Sequence, residues 1–510
     1  MNNEDAYKKS KETIKSLKLP INFEIEFLAM RNNVSMMASY NKAMQMTNAK
    51  YKVFMYQEVC IIHKNFIVDM IKIFQLNKEI GIAGVVGSKY LPENGIWQES
   101  QECLGAIYND HFGSMQGIKY KGNERLYTEA VALDGMLLAT QYDVLWREDI
   151  FSDGNFSGAS QSLEFRRKKY KCIVWGQRMP WCIHFCGKTD ISRYDTEHVK
   201  FLKEYKYEIK PLVSIMIPTY NRPEYFKIAL DSACVQTYEN IEIIVCDNST
   251  DDNTQNLMES YKNDSRVRYF RNKEAKTKQE NFHFFKDAAR GEFFQWLMDD
   301  DVLEADKIKK MMMGFQENPD ITLATSNRRW IDDDGKTVKN ASEFNFGDNV
   351  EYVIVEGKKM GKQMLLNISN AIGEPSAVLF RKKDLENHYW NADCRGYETI
   401  SDVVMWLELL KKGNCLYFQH ALSSYRRHKQ QEGQQFDIVV KSRLEWIYIL
   451  KEEYAQGYFI ENEKEHKIGL KKLLDDAENS ILPALKLKKD NNIANCYKKE
   501  IENLRGYIGF

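Results

Sequence analysis

The sequence predicts an α/β fold with a mostly parallel sheet, because apolar runs, turns and helical stretches alternate after Leu212. A short apolar run, Leu212 to Ile217, breaks at the turn-like Pro218-Thr-Tyr-Asn-Arg-Pro223, and a helical stretch follows over Glu224 to Val235. A second apolar run, Ile241 to Cys246, completes a strand–helix–strand unit of the kind that joins parallel strands. A third, Glu292 to Met298, ends in Asp299-Asp300-Asp301. Open α/β sheets take their ligands at the carboxyl ends of strands, so these acids stand where a ligand is expected.

The 510 residues suggest about three domains at roughly 100–200 residues each. Residues 1–205 show a related but shorter rhythm, in which a helix carrying Asn41-Lys42-Ala43 precedes a strand-like Tyr51 to Tyr56 that ends in Gln57-Glu58. The lysine-rich stretch Glu204 to Lys210 reads as a linker into a second domain, 206–430. Residues 431–510 read as a helical region, with apolar residues at helical spacing over Phe436 to Tyr454 and His466 to Leu487. Its expected role is docking or homo-oligomer formation.

Composition narrows the function. Hydrophobic residues at 43% and charged residues at 28% describe a folded chain and not a disordered one. Lys plus Arg (72) and Asp plus Glu (73) nearly cancel, so a nucleic-acid partner has no electrostatic footprint. Met1 to Lys18 is polar, without the apolar core of a signal peptide, and no run approaches the roughly 18 apolar residues of a spanning helix. A cytoplasmic protein is expected, with contact at the inner face of the membrane left open. The ten cysteines are scattered without a C-x-x-C pair, which favours reduced thiols over a zinc site.

Three adjacent carboxylates repel one another, and a hard cation is a natural compensation. Mn²⁺ or Mg²⁺ held by one or two carboxylates shares its other positions with phosphate oxygens and water, which suits a nucleotide diphosphate. An acidic loop capping a helix over Val302 to Phe315 is the alternative. The companions of the cluster bear on the choice. Ser214-Ile-Met-Ile-Pro-Thr-Tyr-Asn-Arg222, then Ile243-Ile-Val-Cys-Asp-Asn-Ser-Thr250, then Asn281-Phe-His-Phe-Phe-Lys-Asp-Ala-Ala-Arg-Gly-Glu-Phe293, then the acids, resemble in order the nucleotide-binding half of inverting family 2 glycosyltransferases, which have the GT-A fold.

The resemblance, covering Leu212 to His428, implies a role for each matching residue. Pro218, Thr219, Tyr220, Asn221 and Arg222 would line the donor pocket, together with Asn281 and Asp299, and Asp247 would hold the nucleoside. Asp300 would bind the metal with Asp301 or Asp299; the family's usual acid two places earlier is Met298 here. Gly373-Glu-Pro-Ser-Ala-Val-Leu-Phe-Arg381 looks like the acceptor-side strand. Ile400-Ser-Asp-Val-Val-Met-Trp-Leu407 looks like the start of the catalytic helix, with Asp402 as general base, and Tyr425-Arg-Arg-His428 like the closing segment whose histidine approaches the metal. The implied reaction moves a sugar, with inversion, from a nucleotide diphosphate donor, UDP being the commonest handle, to a glycan, lipid-linked or protein hydroxyl.

In residues 1–205, Asn41-Lys-Ala43, Tyr51 to Glu58, Leu133-Asp-Gly-Met136, Gln161-Ser-Leu-Glu-Phe165 and Trp181-Cys-Ile-His184 also look like glycosyltransferase segments. Here the first nucleotide-binding strand has no counterpart, Glu58 replaces the metal-site aspartate, and Ser157-Gly158-Ala159 stands where a base aspartate belongs. The expectation is a scaffold that binds acceptor or holds a dimer, with a second transferase of altered chemistry as the alternative. For the whole chain the rival reading is a non-catalytic GT-A-like glycan-binding or assembly module. A nucleotidyltransferase is disfavoured, since no Gly-rich phosphate loop precedes the acids.

Overall fold

The computed structural model describes residues 4–30, 35–111, 114–122, 124–152, 154–186, 194–272, 278–341, 344–348, 350–385, 396–428, 435–487 and 492–509. They divide into two compact units, Met1–Pro211 and Leu212–Phe510.

The first unit runs α1 (Glu4–Lys15), α2 (Met36–Gln45), β1 (Lys52–Met55), β2 (Val59–Ile61), α3 (Phe66–Leu76), β3 (Ile80–Gly84), β4 (Val86–Ser88) and β5 (Cys103–His111). It continues through β6 (Ser114–Lys119), β7 (Tyr127–Ala130), β8 (Ala132–Leu133), β9 (Leu137–Thr140), α4 (Ser157–Arg167), β10 (Lys171–Trp175), β11 (Cys182–Cys186) and α5 (Tyr194–Glu204). One sheet has the order β1-β9-β3-β10-β7, in which only the β3–β10 pair is parallel. The short β2 pairs antiparallel with β11 in a second sheet. The stretch expected to be a linker packs instead into this unit. Tyr205 is buried, its ring stacks on Phe151 with centroids 6.4 Å apart, and its hydroxyl donates to Glu164 at 2.9 Å. Tyr205 and Ile209, four residues apart among the lysines, give that segment an inward face, while Tyr207 stays exposed.

The second unit opens with β12 (Val213–Thr219), α6 (Pro223–Cys234), β13 (Ile241–Asp247), α7 (Asn253–Met258), β14 (Val267–Arg271), α8 (Lys278–Ala288), β15 (Phe293–Trp296), β16 (Val302–Leu303) and α9 (Lys307–Glu317). Then come β17 (Ile321–Ile331), β18 (Thr337–Ala341), β19 (Tyr352–Val355), α10 (Gly357–Asn367), β20 (Leu379–Arg381), α11 (Ser401–Lys412) and β21 (Asn414–Arg426). The chain ends in α12 (Phe436–Gln456), α13 (Glu463–Asp476), α14 (Leu482–Leu485) and α15 (Asn492–Ile508). The sheet order is β14-β13-β12-β15-β20-β17-β21-β16. The β14-β13-β12-β15 side is all parallel, and β12, β13 and β15 are buried along their whole length, as continuous apolar runs in a covered parallel sheet should be. Beyond β15 the sheet turns mixed: β20 is antiparallel to β15 and β17, and β21 is parallel to β17.

The helix expected over Val302 to Phe315 begins only at Lys307, because Val302 and Leu303 pair with Ser424 and Ser423 of β21. The C-terminal helices share the core of the second unit: Trp446 and Ile447 of α12, Leu470 of α13 and Tyr497 of α15 pack in one cluster with Trp406 of α11. Their apolar faces are therefore spent inside the unit. Among the described residues no helix is long and apolar enough to cross a membrane.

Candidate active site

Two loops leave the carboxyl ends of β12 and β13 side by side, since Pro218 and Thr219 are in register with Cys246 and Asp247. Asn221 has φ 52°, in the left-handed region that asparagine tolerates better than most residues. That turn lets its side-chain oxygen accept the Thr250 N–H at 2.8 Å while its own N–H donates to Ser249 Oγ at 2.8 Å, stitching the loops together. Tyr220 is left half exposed at the rim. Asp247 is fully buried: Ser249 N–H (2.8 Å), the Tyr269 hydroxyl (2.7 Å) and Arg271 (3.0 Å) all donate to it. Asn281 lies on α8, and its side chain lies outside the described residues.

The acids follow β15. Asp299 accepts the Tyr220 N–H at 3.2 Å, and the Arg222 guanidinium lies 3.5 Å from Asp299 and 3.3 Å from Asp300. Burial, helped by the charge of Asp300, pushes the Asp299 carboxyl up to about 6, against the pull of Arg222. Asp300 pairs with His428 Nε2 at 3.0 Å. Asp301 turns the other way and accepts the Arg426 N–H at 3.1 Å; burial and Asp300 hold its carboxyl well above the usual range. Asp299 and Asp300 thus share Arg222 while Asp301 pairs with the Arg426 backbone, and His428 is brought to Asp300 by the end of β21. Among the described residues no group of three or more His, Cys, Asp or Glu side chains forms a metal cage. A nucleotide-bound cation needs only one or two protein ligands, and the Asp300–His428 pair fits that demand.

Asp402 is fixed to the same frame. It sits at the second position of α11, where Asn370 Nδ2 donates to its Oδ2 at 2.9 Å. Asn370 also exchanges hydrogen bonds with Gly373, whose φ of 107° suits glycine. Three residues on, Ser376 Oγ accepts the Met298 N–H at 3.0 Å, next to the acids. The turn from Asn370 to Ser376 therefore connects the expected base with the expected metal site.

Sequence reasoning missed Asn370, Ser376, Arg426 and Tyr225. Ser376 and Arg426 lie inside segments singled out for other residues, so their neighbourhood was a signal. Tyr225, whose ring tilts against His428 at 5.5 Å with Arg426 above it at 4.8 Å, lies two positions past the helix start at Pro223. Asn370 left no trace, because it acts across a distance of 32 residues.

Residues 214–388 match the model of glycosyl transferase family 2, and residues 1–205 match that of a glycosyltransferase-like family. Residues 214–388 are a family 2 glycosyltransferase domain. Similar curated proteins include an uncharacterized glycosyltransferase of Rickettsia felis, 36% identical over 43% of this chain and 35% of its own. A GalNAc(5)-diNAcBac-PP-undecaprenol beta-1,3-glucosyltransferase of Campylobacter jejuni is 28% identical over 43% of this chain and 66% of its own. The glycosyltransferase chain spans about a third of the length of the first two curated relatives it matches. Among solved structures, S. aureus TarS 1-349 in complex with UDP-GlcNAc aligns at 14% identity and TM-score 0.41, over 58% of this chain and 81% of that one.

Within the family frame the first unit has the second half of the sheet and not the first. Strands β1, β9, β3, β10 and β7 repeat β15, β20, β17, β21 and β19 in order and relative direction. Among the described residues nothing in that sheet corresponds to β12, β13 and β14. The helix that matches α11 is α4, and its second residue, in the place of Asp402, is Gly158. A Cβ there would come within 2.3 Å of Gly135 N and 2.5 Å of Leu133 O. No side chain fits, so this unit has no room for a base at that position.

Proposed function

We propose that residues 212–428 transfer a sugar, with inversion, from a nucleotide diphosphate donor, a UDP-sugar, to a hydroxyl of a glycan, lipid-linked or protein acceptor, with Mn²⁺ or Mg²⁺ as cofactor. The observation that carries this reading is the shared frame: Asp402 and the acids after Met298 are tied to one turn through Asn370 and Ser376. A base and a diphosphate site held in fixed relation are what a single in-line displacement requires.

Asp402 accepts the proton of the acceptor hydroxyl as that oxygen attacks the anomeric carbon, and its task needs reach more than a displaced pKa. Asp300 and His428 would hold the cation, which when bound supplies positive charge to the leaving diphosphate. Arg222, beside Asp299 and Asp300, adds a cation of the chain's own to that end of the site. The name of the Campylobacter jejuni relative, a GalNAc(5)-diNAcBac-PP-undecaprenol beta-1,3-glucosyltransferase, supports a lipid-linked acceptor. That chemistry belongs in the cytoplasm at the inner face of the membrane, and the buried free thiols among the described residues suit a reducing compartment.

The rival reading, a non-catalytic glycan-binding module, is favoured by Gly158 for the first unit alone. A panel of UDP-sugars with Mn²⁺, followed by release of UDP with and without acceptor, tests the assignment. Metal-dependent release that fails in Asp300→Ala is expected. Release unaffected by chelation would overturn it.

A further inference from the structure

The first unit contains a cleft of about 1570 Å³ whose walls come entirely from residues 7–194. Its floor uses the same places in the fold as the catalytic site of the second unit. Tyr56 and Glu58 follow β1 as the acids follow β15, Asp134 precedes β9 as Glu374 precedes β20, and Gly158 opens α4 as Asp402 opens α11. The opposite wall differs: α1 and the extended stretch 19–30 line it, and among the described residues no counterpart of β12, β13 or β14 does.

The chemistry of the walls selects the ligand. Phe23, 39% exposed, lies nearly parallel to Tyr51 at 6.5 Å between ring centres, and Tyr56 and Tyr194 are only partly buried. Aromatic faces of this kind pack on apolar surface while leaving polar edges free. Glu58, held by Gln57 Nε2 at 3.0 Å, and Asp134 supply acceptors at the floor. A sugar ring matches both, with a C–H face for the rings and a rim of hydroxyl donors for the carboxylates. A nucleotide diphosphate does not, since among the described residues nothing in this unit's sheet corresponds to β12, β13 and β14, whose strand ends form the expected nucleoside side of the second unit's site.

We propose that this cleft binds a neutral oligosaccharide of hexose or N-acetylhexosamine units without turning it over. It then serves as the acceptor hold of the enzyme, a role that rests on the transferase reading above, whereas the binding itself does not. A growing acceptor held on the chain meets the catalytic unit at a raised effective concentration, so longer acceptors gain most.

The test is titration calorimetry of the full chain with chitotetraose, with cellotetraose and with UDP, for the unaltered protein and for Phe23→Ala, Glu58→Ala and Asp300→Ala. Phe23 is at the surface, so its removal leaves the fold intact, and unchanged melting temperatures verify this for each variant. We expect at least one tetrasaccharide to bind, at least ten-fold more weakly in Phe23→Ala and in Glu58→Ala, and equally well in Asp300→Ala. Binding that is the same in all four proteins, no binding of either saccharide at millimolar concentration, or UDP binding that Phe23→Ala abolishes would overturn the proposal. Failure of the transferase reading would show separately, as no UDP release from any donor while the tetrasaccharide titrations stand.

Discussion

Two sheets in this chain share a strand plan, β1-β9-β3-β10 in one unit and β15-β20-β17-β21 in the other, and they differ in what stands at the strand ends. After β15 come three carboxylates, with Arg222 and His428 against them and Asp402 on the same frame. After β1 comes Glu58, and at the base position a glycine closed in by backbone. The comparison teaches that the half-sheet plan is common to both units, while the acids, the residue at the second position of the helix and the three added strands β12 to β14 set them apart. Fold and function separate here within one molecule.

Four experiments break or sharpen that contrast. The largest effect is expected from Asp300→Ala, which should lower UDP release about 10³-fold, the scale of losing an electrostatic stabiliser. Residual release above roughly one part in a hundred would mean that Asp300 does not carry the metal site. Asp402→Asn should reduce kcat by about 10²–10⁴-fold, the range of general-base catalysis, with the KM for donor little changed. A parallel loss of donor binding would move Asp402 from base to donor site.

The third is a matter of stability. Gly158→Ala should destabilise the first unit by about 1–3 kcal/mol, as overpacking does, seen as an earlier transition in calorimetry. An unchanged transition would show that the Leu133–Gly135 backbone yields easily and that the base position is open after all.

The smallest effect concerns the first residue of the helix after the short strand, Phe66 in one unit and Lys307 in the other, both fully buried. Lys307 donates to Ala377 O at 2.7 Å, and burial lowers its ammonium to about 7. With a folded pKa below the ordinary 10.5, the unfolded chain binds the extra proton between pH 7 and 10.5, so stability rises with pH across that window. Lys307→Met should therefore raise Tm at pH 7 by roughly 2 °C, the scale of 1 kcal/mol in a large unit, and lose the advantage near pH 10. A Tm that falls at both pH values would show that the bond to Ala377 outweighs the buried charge.

Much of this was readable beforehand where local pattern and partner coincide. The apolar runs at Ile241 and Glu292 emerged as β13 and β15 within two residues at either end, because buried parallel strands need nothing but length and apolarity. The start of α9 was misplaced by five residues, since pairing of Val302 and Leu303 with β21 involves residues about 120 positions away. The same holds in the site. His428 and Asp300 were each visible as motif members, but their contact at 3.0 Å and the opposite turn of Asp301 depend on how β21 returns beside β16. The roles of Asn370 and Ser376 exist only in three dimensions.

The tight seat of Gly158 against Gly135 and Leu133 also has a historical reading. A lineage that loses a carboxylate can regain it by one codon change only while the space for it persists. Once the neighbouring chain has settled into that space, reversal demands coordinated changes in two segments, none of them useful alone. Placing a carboxylate at residue 158 therefore requires the Leu133–Gly135 segment to move with it.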